Sequence, residues 1–312
     1  MGELRLMKGN EAVAEAAIRA GCDGYFGYPI TPQSEVIEYL MLAKPEETTG
    51  MVVLQAESEV ASINMLYGGA GAGKKVMTSS SSPGVSLMAE GISYMAGAEL
   101  PCLLVNVVRG GPGLGTIQPS QCDYFQSVKG GGHGDYRLIV LAPSSVQEMS
   151  DFVKLGFDLS IKYRNPAMIL TDGVIGQMME KVELFDPIPR WTDEEVKEKM
   201  PWATTGKTPD RERNIITSLD LDSNKQEKHV YHLRDKYEKM KSEVMFENIM
   251  TDDAEYLLVA YGSSARIGQK AVDLARAEGI KLGLLRPITL FPFPEDEINR
   301  LAGQVKGILS VE

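Results

Sequence analysis

The run Pro101-Cys102-Leu103-Leu104-Val105-Asn106-Val107-Val108 constrains this chain most. It is apolar on both faces, without the alternation of a strand that turns one side to water. Strands read this way when helices cover both faces of a parallel sheet. The run is also far short of the ~20 residues that cross a bilayer. Its surroundings agree. From residue 9 to about 175, helical and strand patterns alternate without a break. Asn10 is expected to cap a helix that ends at Gly21. Strands are expected at 24–28, 51–54, 75–78, 101–108, 137–141 and 167–170. Helices are expected from Thr31-Pro32 through Leu40 and over 57–69, 83–96 and 145–161. This βα rhythm predicts an α/β fold with a doubly wound parallel sheet.

Bulk properties narrow the function classes. The chain has 312 residues, room for one large domain or two ordinary ones. A formal net charge of −11 argues against nucleic-acid binding, which needs clustered Lys and Arg to neutralise phosphates. Cys22, Cys102 and Cys122 form no C-x-x-C pair, so this chain offers no zinc or iron–sulfur ligand set of its own. They read as free buried thiols. The N-terminus carries no apolar signal core, and the expectation is a soluble cytoplasmic protein.

Composition shifts after Gly176. Residues 181–250 are Pro-rich and then strongly charged, and read as a linker with an excursion whose 227–247 stretch forms a polar helix. A smaller α/β unit follows over 251–312. It has a strand at Tyr256–Tyr261, a turn at Gly262-Ser263-Ser264, a helix at 265–278, a strand at 282–285 and a helix at 294–302. The sequence stops inside an apolar strand at 307–312, which suggests a longer natural chain.

Two motifs are rejected as nucleotide sites. Gly68 to Lys74 spells G-x-x-x-x-G-K, but Lys75 stands where Ser or Thr is needed. The run also ends a helix and precedes a strand, the inverse of a phosphate loop. Gly111-Pro112-Gly113-Leu114-Gly115 lacks dinucleotide spacing. His133, alone in a glycine loop, reads as a turn residue. Three residues remain at strand ends: Thr31, Glu59 and Arg109. Each has an ordinary explanation. Thr31-Pro32 suits a helix start, worth ~1 kcal/mol. Glu59 suits a first helical turn, worth ~0.3–1 kcal/mol. Arg109 could be a surface residue. All three fall on the carboxyl edge of one sheet, where open α/β sheets bind ligands, and that favours a functional reading.

At these residues the chain resembles the 2-oxoacid:ferredoxin oxidoreductases, specifically the subunit with the pyrimidine-binding domain for thiamine diphosphate. The motifs are Met7-Lys8-Gly9-Asn10-Glu11-Ala12, Gly27-Tyr28-Pro29-Ile30-Thr31-Pro32, Ser58-Glu59-Val60-Ala61, Thr78 to Gly84, Val105 to Pro112 and His133-Gly134-Asp135. Residues 1–180 would be the pyrimidine-binding domain. Leu285 to Pro292 resembles the family's transketolase C-terminal-like domain. The serines 79–82 and Gln118-Pro119-Ser120-Gln121 look most like the branched-chain, 2-oxoisovalerate branch.

The resemblance implies CoA-dependent oxidative decarboxylation of a 2-oxoacid with reduction of ferredoxin. Glu59 would hydrogen-bond N1′ of the aminopyrimidine, with Tyr28, Pro29, Ile30 and Ser82 beside the cofactor. Thr31 and Arg109 would hold the keto acid head, for which the planar arginine fork is apt. No G-D-G…N-N pattern follows Thr171-Asp172-Gly173. The resemblance therefore implies a partner chain that brings the diphosphate site, Mg²⁺ and a [4Fe–4S] cluster, with small ferredoxin-like subunits and coenzyme A as co-substrate. The same complex type acting on 2-oxoglutarate or pyruvate, a non-oxidative thiamine diphosphate enzyme, and a non-catalytic regulatory subunit are the alternatives.

Overall fold

The computed structural model describes residues 3–207, 209 and 211–312. Strand β1 (Glu3–Lys8) leads into α1 (Gly9–Arg19). There follow β2 (Gly24–Gly27), α2 (Ser34–Ala43), the single turn α3 (Pro45–Thr48), β3 (Val52–Gln55), α4 (Glu59–Gly71), β4 (Val76–Ser80), α5 (Pro83–Gly97) and β5 (Cys102–Val108). Next come α6 (Tyr124–Val128), β6 (Ile139–Leu141), α7 (Val146–Tyr163), β7 (Pro166–Asp172), α8 (Gly173–Gln177) and β8 (Met179–Leu184). The remainder holds α9 (Asp193–Lys199), α10 (Ser223–Met240), β9 (Phe246–Ile249), β10 (Tyr256–Val259), α11 (Gly262–Ala277), β11 (Leu282–Pro287), β12 (Thr289–Phe291), α12 (Glu295–Ala302) and β13 (Gly307–Ser310).

A seven-stranded sheet in the order β12-β6-β7-β5-β4-β2-β3 forms the centre, parallel except for β12. Central strand β5 shows why its sequence lacks alternation. Leu103, Val105 and Val107 enter the layer built by α1, α2 and α7. Cys102, Leu104 and Val108 enter the layer built by α4 and α5. Side chains alternate across a strand, so an unbroken apolar run fills both cores at once. Each fully buried Leu or Val contributes ~1.5–3 kcal/mol. Helix starts add to this: Ser58 Oγ accepts the Ala61 N–H at 3.1 Å and Ser145 Oγ the Glu148 N–H at 3.1 Å, each worth ~1 kcal/mol.

A second sheet has the order β13-β10-β11-β9 and is parallel except for β9. Its first strand, β9, comes from within the charged 181–250 stretch. Several contacts seat it on the first unit. Strand β12 crosses over to pair with β6. Buried Arg286 pairs with Glu148 of α7 and, at 3.2 Å, with Glu247 of β9. Ser263 Oγ donates to Asp172 Oδ2 at 2.6 Å, and Gln121 Nε2 donates to the Tyr261 carbonyl at 2.8 Å. Among the described residues no helix is long and apolar enough to cross a membrane.

Several local expectations need correction. Asn10 does not cap α1; the cap position is Lys8, and Asn10 lies buried in the first turn. Its amide instead donates to the Pro32 carbonyl and to Glu35 Oε2, both at 2.8 Å. The helix α2 starts at Ser34 rather than Thr31. Gly262-Ser263-Ser264 is the first turn of α11, not a separate turn. The polar helix α10 stops at Met240, and the residues beyond it supply β9. An antiparallel pair, β1 with β8, was not apparent from the pattern. Cys22 and Cys102 are buried, but Cys122 is exposed. Burial pushes the Cys22 thiol up to about 12 and the Cys102 thiol up as well.

Candidate active site

Strand order locates the site. From β2 the chain passes outward to β3, then returns to place β4 on the other side of β2. That reversal is a topological switch point, and ligands bind in the crevice beyond the carboxyl ends of the strands there. Four loops meet at this edge: Tyr28–Thr31 after β2, Ala56–Ser58 after β3, Ser81–Ser82 after β4, and the loop after β5 that opens with Arg109.

Glu59 opens α4 behind the Ser58 cap and is only 6% exposed, whereas Glu57 is exposed. No hydrogen bond or ion pair engages its carboxylate among the described residues. It packs on the first turn of α5, where a Cβ built at Gly84 would lie 2.7 Å from Glu59 Oε1. Nearby, the Ser80 and Ser81 hydroxyls are buried without partners. Glu59 is buried as a residue, while its carboxylate oxygens are not among the sealed, unpartnered atoms.

Arg109 is buried at the end of β5. Its Nη1 donates to the Thr31 carbonyl at 3.0 Å and its Nη2 to the Leu114 carbonyl at 3.1 Å. Nε is buried without a partner. With Nε sealed and one N–H of each terminal nitrogen engaged, two N–H groups are left for a ligand. Ser82 ties this arginine to β4: the Arg109 N–H donates to Ser82 Oγ at 3.1 Å, and Ser82 Oγ donates to the Arg109 carbonyl at 3.2 Å. Ser82 has φ +25°, ψ −83°, a conformation L residues rarely adopt. Its N–H is held by Asn106 Oδ1 at 3.0 Å. The 80–84 segment therefore joins the Glu59 side of the crevice to the Arg109 side.

Thr31 is exposed, with its carbonyl on Arg109 and its hydroxyl without a partner among the described residues; the Thr31–Pro32 peptide is cis. Tyr28 and Ile30 are half-buried and Pro29 is exposed. Below them lies a layer that motif reading missed. Gln33 Nε2 donates to the Tyr28 carbonyl at 3.1 Å, Ser79 Oγ donates to Gln33 Oε1 at 2.5 Å, and Tyr25 OH lies 2.7 Å from Ser79 Oγ. Asn106, polar within an otherwise apolar strand, carried a signal, because buried amides need partners. His133 stays in an exposed loop with its ring edge-on to Tyr94.

With this geometry in view, likeness to known proteins is informative. Residues 15–251 match the thiamine diphosphate-binding domain of pyruvate flavodoxin/ferredoxin oxidoreductases, and residues 254–312 match core domain II of pyruvate:ferredoxin oxidoreductase. The chain belongs to this oxidoreductase family. It is 51% identical over 311 residues to ketoisovalerate oxidoreductase subunit VorB of Methanothermobacter thermautotrophicus, covering 99% of this chain and 86% of that one. Identity to 2-oxoglutarate synthase subunit KorA of Methanocaldococcus jannaschii is 38% over 317 residues, covering 96% and 86%. A solved 2-oxoglutarate:ferredoxin oxidoreductase from Magnetococcus marinus, with 2-oxoglutarate, coenzyme A and succinyl-CoA bound, superposes with a TM-score of 0.85 at 28% identity. The match covers 99% of this chain and 58% of the length of that one.

Proposed function

We propose that this chain supplies the pyrimidine-binding half of the active site in a CoA-dependent 2-oxoacid:ferredoxin oxidoreductase acting on 2-oxoisovalerate or another branched-chain 2-oxoacid. The products are acyl-CoA, CO₂ and reduced ferredoxin. The observation that carries the reading is Glu59: a buried acid at a switch point with no partner of its own. Such a group fits the N1′ of an aminopyrimidine, since a carboxylate in a water-poor site stabilises charge developing on the ring. When bound, thiamine diphosphate supplies an acidic ring carbon that adds to the 2-oxo group and takes up the electron pair released with CO₂.

The residues of this chain bind and orient. Glu59 holds N1′ and so sets the protonation of the pyrimidine. Tyr28, Pro29, Ile30 and Ser82 line the ring. Arg109 offers the substrate carboxylate the two remaining N–H groups of Nη1 and Nη2, with Thr31 beside it, and the carbonyl contacts at Thr31 and Leu114 keep the guanidinium plane fixed. Mg²⁺, the diphosphate site and the [4Fe–4S] cluster lie on a partner subunit in this proposal, with small ferredoxin-like subunits completing a cytoplasmic complex.

The higher identity to a ketoisovalerate subunit than to a 2-oxoglutarate subunit supports the branched-chain substrate. The test is to purify the chain with its natural partners and follow CoA-dependent dye reduction with 2-oxoisovalerate, 2-oxoglutarate and pyruvate. The highest kcat/KM is expected for 2-oxoisovalerate. A preference for either other acid would replace the substrate. A complex with no iron–sulfur absorbance and no CoA dependence would remove the oxidative reaction.

A further inference from the structure

Gly84 is the second residue of α5, with Pro83 before it. Its backbone is ordinary helix, not the left-handed region, so nothing in its dihedral angles demands glycine. Glycine inside a helix is less favourable than alanine by ~0.5–1 kcal/mol. Space, rather than conformation, accounts for it. A Cβ at this position would collide with Ser80 Oγ and would lie 2.7 Å from Glu59 Oε1 and 3.0 Å from Glu59 Cγ. By contrast, a Cβ on Gly68 in α4 would meet nothing within 4 Å.

The consequence concerns Glu59. Its carboxylate has no hydrogen bond to orient it, yet an acid that must meet one ring nitrogen has to be held in one place. What it does have is the bare backbone of the first turn of α5 against its side chain. We propose that Gly84 is a positioning residue: the missing side chain lets α5 lie directly on Glu59 and fixes the acid, with the Ser80 hydroxyl beside the same gap. This assignment rests on the reading that Glu59 engages an aminopyrimidine. It also gives the buried, unpartnered Ser80 hydroxyl a place as part of a shaped wall.

Gly84→Ala, Gly84→Ala/Ser80→Ala and Glu59→Gln would be compared with wild type in the complex purified with its partner subunits. Three quantities are read: thermal stability, the Kd of thiamine diphosphate with Mg²⁺ from fluorescence, and exchange of the bound cofactor's thiazolium C2 proton with deuterium, without 2-oxoacid. Gly84→Ala is expected to lower stability. Adding Ser80→Ala relieves the collision with the hydroxyl and restores stability, but leaves the contact with Glu59. Exchange in the double variant therefore stays slowed about tenfold or more, and Kd stays weakened about fivefold, because misplacing a catalytic group by an ångström costs that much or more.

A double variant with wild-type exchange and affinity overturns the assignment. Glu59→Gln separates the two ideas. If it also exchanges at the wild-type rate, the Glu59 reading is at fault; if it is slow while the double variant is normal, only Gly84 is. Should neither Gly84 variant assemble, Ser80→Thr brings a methyl group to the same wall at a strand position that tolerates it. The same slowing is then expected, and unchanged exchange overturns the proposal.

Discussion

At the two edges of the seven-stranded sheet, the buried acids Asp23 and Glu59 are handled in opposite ways. At the amino edge the carboxylates Asp23 and Glu99 are engaged, although Arg164 Nε is buried without a partner. Asp23 accepts the Lys75 N–H at 2.8 Å and pairs with Arg190 at 2.7 Å. Lys75 lies 4.4 Å over the Trp191 ring. Glu99 pairs with Lys236 at 3.2 Å and His232 at 3.1 Å. At the carboxyl edge no hydrogen bond or ion pair engages Glu59 among the described residues, and Arg109 Nε and the hydroxyls of Ser80 and Ser81 are buried without a partner. Buried polar groups are normally satisfied, and local departures from that rule gather at functional sites. The amino edge holds the fold together; the carboxyl edge keeps its capacity for a ligand.

Substitutions can break this contrast. The largest effect is expected for Glu59→Ala, which should abolish decarboxylation, a loss of at least ~10²-fold in dye reduction, the scale of a missing proton-handling group. Since the carboxylate makes no hydrogen bond in the fold, Tm should hardly move. A collapse of Tm would put Glu59 with the amino edge instead. Arg109→Ala should raise KM for the 2-oxoacid by ~10-fold or more, the value of a charge-assisted hydrogen bond. Steady-state kinetics would check this, and unchanged KM would remove the role. Asp23→Ala should do the reverse of Glu59→Ala, with stability down by ~2 kcal/mol in denaturant unfolding and kcat/KM retained.

Much of this was legible in the sequence because it depends on periodicity. The unbroken apolar run of β5 announced a parallel sheet with two covered faces, and strand ends then pointed to Thr31, Glu59 and Arg109, of which the structure joins Thr31 to Arg109 directly. Glu59 could be told from Glu57 by motif, and burial separates them physically. Long-range polar contacts were not legible. Asn10 looks like a helix cap in one dimension, yet its amide reaches Pro32, 22 residues away. The Gln33–Ser79–Tyr25 layer joins three segments, and β9 leaves a charged stretch to pair with β11. The wall at Gly84 is invisible for the same reason: its cause is the position of Ser80 and Glu59, not any property of glycine in its own helix.

A final prediction tests the amino edge from within. Burial pushes the Lys236 ammonium down to about 8 from 10.5, although Glu99 opposes the shift. Below pH 8 the lysine is protonated in both folded and unfolded chains. Between 8 and 10.5 the unfolded chain binds more protons, so the lysine's contribution to stability rises with pH across that window. Lys236→Met cannot titrate there. The stability difference between wild type and Lys236→Met, measured by denaturant unfolding, should therefore shift toward wild type as pH climbs through the window. The relative activity of the two forms should not follow it, since α10 lies on the opposite edge from Glu59. Parallel pH profiles would show that this ammonium is not desolvated. A matching change in kcat would show that the two edges are coupled, and the division of labour between them would fail.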